Sequence, residues 1–87
     1  MTVRALLNRL LWHPDEVIAD FEVTYTHRGA PGDRVTIPCA MIRAVKASWF
    51  TYEGEGGYTV IPFHRILRIK NVKTGYSLWV KREKHPD

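Results

Sequence analysis

The chain has 87 residues, enough for one small hydrophobic core and too few for an enzyme with separate cofactor and substrate lobes. Its hydrophobic share of 45% and charged share of 25% are ordinary for a globular protein, so we expect one α+β domain over residues 1–87 that needs no cofactor. A net charge of +4 indicates an attraction to polyanions. No apolar run of membrane-spanning length and no signal peptide is present, which predicts a soluble, cytoplasmic protein without a membrane partner.

The N-terminal segment predicts the helix of this domain. Val3, Leu7 and Leu10 recur at the three-and-four spacing of an amphipathic helix over residues 2–12. Because Pro14 disfavours helical backbone at the residue before it, the helix should end near residue 12 or 13.

A hairpin is predicted next. Residues 21–26 alternate apolar with polar side chains, as in a strand that is buried on one face. Residues 30–33 place Pro and Gly in the order of a type II turn, so the chain should return as a strand over residues 34–37 and stop at Pro38. Residues 39–45 are expected to form a short helical turn.

The second half of the chain predicts further strands. Aromatic residues and threonine over residues 47–53 favour a strand, which a glycine-rich turn separates from a partner that begins at Tyr58. Because Pro62 cannot donate a backbone hydrogen bond, a break is expected at residues 62–65, before a strand resumes at Ile66.

The last hairpin completes the predicted fold. Its turn lies within residues 71–76, with Gly75 at positive φ, and its final strand covers residues 76–81. The fold expected from these elements is a helix packed on about five or six antiparallel strands, in a strongly curved sheet or a small barrel.

Charge is segregated along the chain. The span 64–85 holds seven basic residues and one acidic residue, whereas the rest holds six basic and eight acidic residues. Such segregation is typical of a protein with an anionic partner at one end, and a solvated hairpin with lysines for solubility is the alternative.

The last two strands predict an aromatic ring among cations. Strict alternation places Arg68 and Lys70 on the same open face as Trp79 and Lys81. This combination can stack an unpaired base and bind its phosphates. The alternative is a core position for Trp79, which a bulge in the alternation would permit.

Two His-Arg pairs lie at predicted breaks in the strands. His64 and Arg65 follow Pro62, and His27 and Arg28 precede the first turn. An arginine fork matches phosphate oxygens and a histidine adds donors. The alternative is a structural role in an ordinary turn, with the histidine bonded to a turn carbonyl and the arginine as a surface charge. If the two pairs converge, they form one anion site.

Sequence signatures of catalysis and metal binding are absent. The chain has no phosphate-binding loop, no nucleophile elbow and no His-x-Thr repeat, and its four histidines and single cysteine lack zinc spacing. Cys39 lies in an apolar stretch and is expected to be a small core residue. We therefore expect no catalytic residues and no metal.

Several runs stand out in order along the chain, namely residues 7–14, 25–33 and 61–66, then Gly75 and the pair Leu78-Trp79. They resemble the hallmarks of the RNA cyclic-group-end recognition domain family over nearly the whole chain. The Pro-aromatic-His-Arg-Ile run and the Tyr-x-x-Arg-Gly run are the most specific. The resemblance implies small, mostly archaeal proteins or domains joined to RNA-processing modules, which recognise RNA ends bearing a cyclic phosphate.

The same resemblance implies Arg28, His64, Arg65 and Trp79 as the residues of the site. One departure concerns the end of the chain, where the family often has Trp-Asp-Arg and this sequence has valine and Lys81 after the tryptophan. Either Lys81 or Arg82 would then replace the family's arginine.

The expected function is binding of single-stranded RNA ends without catalysis, with 2′,3′-cyclic phosphate termini as the specific case and RNA-processing proteins as further partners. The predicted RNA- and phosphate-binding residues are His27, Arg28, His64, Arg65, Arg68, Trp79 and Lys81. Two alternatives stay open. One is a cyclic phosphodiesterase that uses His27 and His64 as acid and base, and the other is a basic protein-interaction domain in an RNA-processing complex.

Overall fold

The computed structural model describes residues 2–81, so Arg82 and the rest of the predicted basic span beyond it lie outside the described residues. Within residues 2–81 the chain forms one α-helix and seven β-strands. They are α1 (Val3–Trp12), β1 (Phe21–Thr26), β2 (Arg34–Pro38), β3 (Ile42–Val45), β4 (Trp49–Gly54), β5 (Gly57–Pro62), β6 (Ile66–Asn71) and β7 (Ser77–Val80).

The predicted helix is confirmed, and local signals fix both of its ends. The Thr2 side chain accepts a hydrogen bond of 3.1 Å from the backbone N–H of Ala5, as an N-cap residue does. His13, the residue before Pro14, has extended backbone and ends the helix. Among the described residues no helix is both long and apolar enough to cross a membrane.

The strands form two antiparallel sheets. One has the order β2-β1-β6-β7 and the other has the order β3-β4-β5. The α+β class is therefore correct, whereas a closed barrel is not observed. The prediction was wrong over residues 39–45, because only Cys39–Met41 form a turn and the next residues form β3. This additional strand pairs with β4 and makes a second sheet.

β1 is a central strand of the four-stranded sheet and positions the loops at its end. It pairs with β2 on one side and β6 on the other, and both pairings are antiparallel. Tyr25, near the end of β1, lies opposite Ile66, the first residue of β6. The loop after β1 therefore lies next to the turn before β6.

The hydrophobic core joins α1 to both sheets. Leu7 from the helix, Phe50 from β4 and Ile66 from β6 are fully buried in it. The other buried members of the same cluster are Leu6, Leu10, Phe21, Val23, Tyr25, Ile37, Cys39, Ile42, Ile61 and Ile69. One apolar cluster thus holds the helix against the two sheets.

The alternation of β6 is interrupted. Its pairing with β1 shifts register between Thr24 and Tyr25, which leaves Leu67 as an extra residue on β6. As a result Ile66 and Ile69, three positions apart, are both buried. Strict alternation along β6 would place Ile66 on the open face with Arg68, and the bulge buries it instead.

Burial of Cys39 leads to a prediction about its reactivity. The thiol is fully buried, and desolvation, with a smaller effect of the Glu22 charge, raises its pKa to about 12. Because the thiolate is the reactive form, alkylation of the native protein at pH 8 should be at least about a hundredfold slower than in denaturant, where the pKa is ordinary. Mass spectrometry of the iodoacetamide adduct over time measures both rates. Similar rates would contradict a buried thiol.

Candidate anion-binding site

A pocket of about 450 Å³ lies where the end of β1 meets the start of β6. It is lined by Thr26, Arg28, Asp33 and Arg65. Thr26 is the last residue of β1, Arg28 and Asp33 belong to the loop that follows it, and Arg65 is the last residue before β6. The antiparallel pairing of β1 with β6 therefore brings together two arginines that are distant in sequence.

The loop after β1 is closed by its own hydrogen bonds. The backbone N–H of His27 donates to the Asp33 carbonyl at 2.8 Å, and the N–H of Asp33 donates to the Ala30 carbonyl at 2.8 Å. Gly32 has a φ of 66°, as the third residue of the predicted type II turn requires. Arg28 thus projects from a short loop with a defined backbone.

The turn before β6 is fixed to the rest of the sheet. It covers Phe63–Arg65, and the Phe63 N–H donates to the carbonyl of Ser48 at 3.0 Å. The Lys81 side chain donates to the carbonyl of His64, while the Lys81 N–H donates to the carbonyl of Leu67 at 2.8 Å. Arg65 therefore belongs to a turn that hydrogen bonds hold on two sides, from Ser48 and from Lys81.

A pair of tyrosines connects the two sheets close to Arg65. The hydroxyl groups of Tyr25 on β1 and Tyr52 on β4 share a hydrogen bond of 2.6 Å, and their ring centroids are 6.1 Å apart. Burial and this hydrogen bond raise the pKa of Tyr25, while the charge of Arg65 lowers it. The hydrogen bond ties β1, the strand before the Arg28 loop, to the second sheet.

The lining residues favour an anion. Two guanidinium groups supply forked donors that match phosphate or carboxylate oxygens, and the Thr26 hydroxyl adds a further donor or acceptor. Asp33 supplies the one carboxylate among them. Within residues 2–81 no group of three or more His, Cys, Asp or Glu side chains is arranged to hold a metal ion.

The structure brings together the two arginines of the predicted His-Arg pairs but not the two histidines. His27 and His64 are exposed and neither lines the pocket. The ring of His27 meets the ring of Tyr25 edge-on, with centroids 6.5 Å apart. An acid and base pair of these two histidines therefore has no support from the pocket geometry.

Arg68 and Lys81 lie outside the pocket. Arg68 is exposed on the outer face of the four-stranded sheet, opposite Thr24 on β1 and Val80 on β7. Lys81 contacts the turn that carries Arg65 rather than lining the pocket itself. Their proposed contacts with RNA stay predictions.

The predicted position of Trp79 was wrong. It lies opposite Ile69, is half-buried and packs against the core, so it does not share the open face with Arg68. The cause is a second bulge, this time on β7. The register of β6 with β7 shifts between Ile69 and Lys70, which leaves Leu78 on β7 without a partner residue on β6. The structure therefore agrees with the alternative prediction, in which a bulge turns Trp79 toward the core.

Sequence reasoning missed Thr26 and Asp33 as lining residues. Thr26 was treated only as the last residue of a strand, and Asp33 only as part of a turn. A signal for Asp33 was present, since it closes the same turn that presents Arg28, and Thr26 directly precedes the first His-Arg pair. Only the pairing of β1 with β6 shows that these two residues line one pocket with Arg65.

Together the fold and the pocket define a small α+β domain with a pocket lined by two arginines. The family model described as "MJ1316 RNA cyclic group end recognition domain" matches residues 1–81. The chain belongs to this family, as the resemblance in its sequence indicated.

Curated relatives align with this chain over most of their length. A UPF0248 protein of Methanococcus maripaludis strain C7 is 42% identical over 80 residues, which cover 92% of this chain and 99% of the relative. Those of Methanocaldococcus jannaschii and Thermococcus kodakarensis are 39% and 33% identical, covering 92% and 90% of this chain and 94% and 89% of the relatives. No solved structure matches the chain.

The tyrosine pair leads to a prediction about stability. Tyr52→Phe removes one hydroxyl and leaves the buried Tyr25 hydroxyl without its partner, which should lower the free energy of unfolding by about 1–3 kcal/mol. Tyr58→Phe is the matched control, because Tyr58 is 70% exposed on the neighbouring strand β5 and its loss should change stability by less than about 0.5 kcal/mol. Urea denaturation measures both, and equal effects would argue against the pair.

Proposed function

We propose that this chain is a non-catalytic RNA-binding module that recognises RNA ends, with the 2′,3′-cyclic phosphate as the preferred terminal group. The observation that supports this proposal most is the convergence of Arg28 and Arg65 on one pocket. The chain also belongs to a family whose description names recognition of RNA cyclic group ends.

The chemistry of the terminal group suits the pocket. A cyclic phosphate is a diester with one negative charge, which is spread over two non-bridging oxygens. Each guanidinium can donate to one of these oxygens, and the fixed loops lower the entropy that is lost when the two arginines are ordered. In this proposal the hydroxyl of Thr26, which lines the same pocket, interacts with a third oxygen of the ring or the ribose.

Basic residues of β6, β7 and their flanking turns support binding of the RNA that precedes the end. Between residues 64 and 81 the chain carries five Lys and Arg residues and no acidic residue. Of these, Arg68 is exposed on the outer face of the four-stranded sheet. We propose that these charges attract the RNA backbone without reading sequence, in a cytoplasmic setting with RNA-processing proteins as partners.

Binding to defined RNA ends tests the proposal. Short, single-stranded oligonucleotides of one sequence, ending in a 3′-hydroxyl, a linear 3′-phosphate or a 2′,3′-cyclic phosphate, should bind with increasing affinity for the phosphorylated ends and best for the cyclic end. Fluorescence anisotropy at one fixed salt concentration measures all three. Equal affinities would leave only general attraction to RNA. Mass spectrometry of the recovered cyclic oligonucleotide should show no added water, whereas hydration would favour the phosphodiesterase alternative.

A phosphate contact at Arg65 predicts a change in salt dependence. Arg65→Ala should weaken binding of the cyclic end and make the slope of log K against log salt shallower by about 0.7, because one fewer counterion is released. Arg43→Ala is the matched control, since Arg43 lies on β3 in the other sheet and pairs with Glu53. An unchanged slope for Arg65→Ala, or the same change in both variants, would contradict a specific contact.

A further inference from the structure

Asp33 is the one lining residue that does not suit an anion pocket. Asp33 lines the same pocket as Arg28 and Arg65, and its carboxylate carries a charge that repels phosphate. Among residues 2–81 the ion pairs join Arg9 to Glu16, His13 to Asp15 and Arg43 to Glu53, and none of them includes Asp33. Within this part of the chain the carboxylate has no direct ion pair, so its negative charge acts on the pocket that Asp33 lines.

The structure holds this carboxylate in a defined position. Its Oδ1 atom accepts a hydrogen bond of 3.3 Å from the backbone N–H of Gly29. The Asp33 backbone has a φ of 56°, in the left-handed region that few residues other than Gly, Asn and Asp adopt readily. Its N–H and its carbonyl both form hydrogen bonds within the loop, to Ala30 and His27.

The charges of the pocket match a monoanion better than a dianion. Among the described residues that line the pocket, two guanidinium groups and one carboxylate leave a single net positive charge. A cyclic phosphate end carries one negative charge, which neutralises the net positive charge of these lining residues. A linear terminal phosphate carries about −1.5 to −2 charges at pH 7, so part of its charge stays uncompensated beside the Asp33 carboxylate.

We propose that Asp33 is a specificity-determining residue that disfavours dianionic, linear phosphate ends and thereby selects monoanionic phosphodiester ends such as the cyclic phosphate. This inference rests on the proposed function of the pocket and adds the basis of its selectivity. It assigns discrimination to charge rather than to the shape of the five-membered phosphate ring.

Asp33→Asn is a suitable test, because asparagine keeps Oδ1 for the Gly29 hydrogen bond, tolerates the left-handed backbone and removes only the charge. Affinities are measured for four oligonucleotides of one sequence, ending in a 3′-hydroxyl, a linear 3′-phosphate, a 2′,3′-cyclic phosphate or an acyclic 3′-methyl phosphodiester. The methyl diester has the charge of the cyclic end without its ring. Glu55→Gln removes the same charge from the turn between β4 and β5 and controls for net charge.

The charge proposal expects the wild-type protein to bind both diesters better than the linear phosphate. In Asp33→Asn the preference for the cyclic end over the linear phosphate should fall by about three- to tenfold, mainly because binding of the linear phosphate improves. Glu55→Gln should leave this preference unchanged.

Other results would overturn the inference in distinguishable ways. An unchanged preference in Asp33→Asn, or an equal loss of affinity for every phosphorylated end, would mean that Asp33 acts as a hydrogen-bond acceptor or only in the loop. A wild-type protein that binds linear and cyclic phosphates equally, but the 3′-hydroxyl end weakly, would remove charge selection and leave phosphate recognition intact. Equal binding of all four ends would contradict the proposed function itself.

Discussion

The antiparallel pairing of β1 with β6 is the contact on which the proposed anion site depends. These strands are far apart in sequence, yet Tyr25 lies opposite Ile66, so the loop after one strand faces the turn before the other. Arg28 and Arg65 reach a common pocket for this reason alone. Burial of Val23 and Ile69, which are opposite each other in the same pair, stabilises this register, because a slip by one residue would turn apolar side chains toward water.

Ordered loops around the pocket make it suited to a small, charged group. Hydrogen bonds within the loop after β1 hold the backbone on either side of Arg28, and Lys81 contacts the turn that carries Arg65. Two like charges that face one pocket repel each other, and a bound anion relieves this repulsion. A site of this kind gains affinity from charge and preorganisation rather than from buried apolar area.

Local signals made much of the fold predictable from sequence, and the failures have identifiable causes. The capped helix, strand β1, the break at residues 62–65 and the start of β6 follow from periodicity and from proline. Strand β3 was missed because its four residues show no clear alternation. The face of Trp79 was mispredicted because bulges are set by tertiary packing and leave no local signal. For the site, the repeated His-Arg pairs left convergence open, and coordinates were needed to show that their two arginines and Asp33 line one pocket.

The central claim is that Arg28 and Arg65 bind one anion together, and nuclear magnetic resonance can observe both side chains at once. In a titration with a nucleoside 2′,3′-cyclic phosphate, the Nε–H resonances of Arg28 and Arg65 should shift along one common binding curve, while that of Arg43 on the other sheet should stay in place. A shift of only one of the two pocket arginines, or two curves with different midpoints, would contradict a shared site.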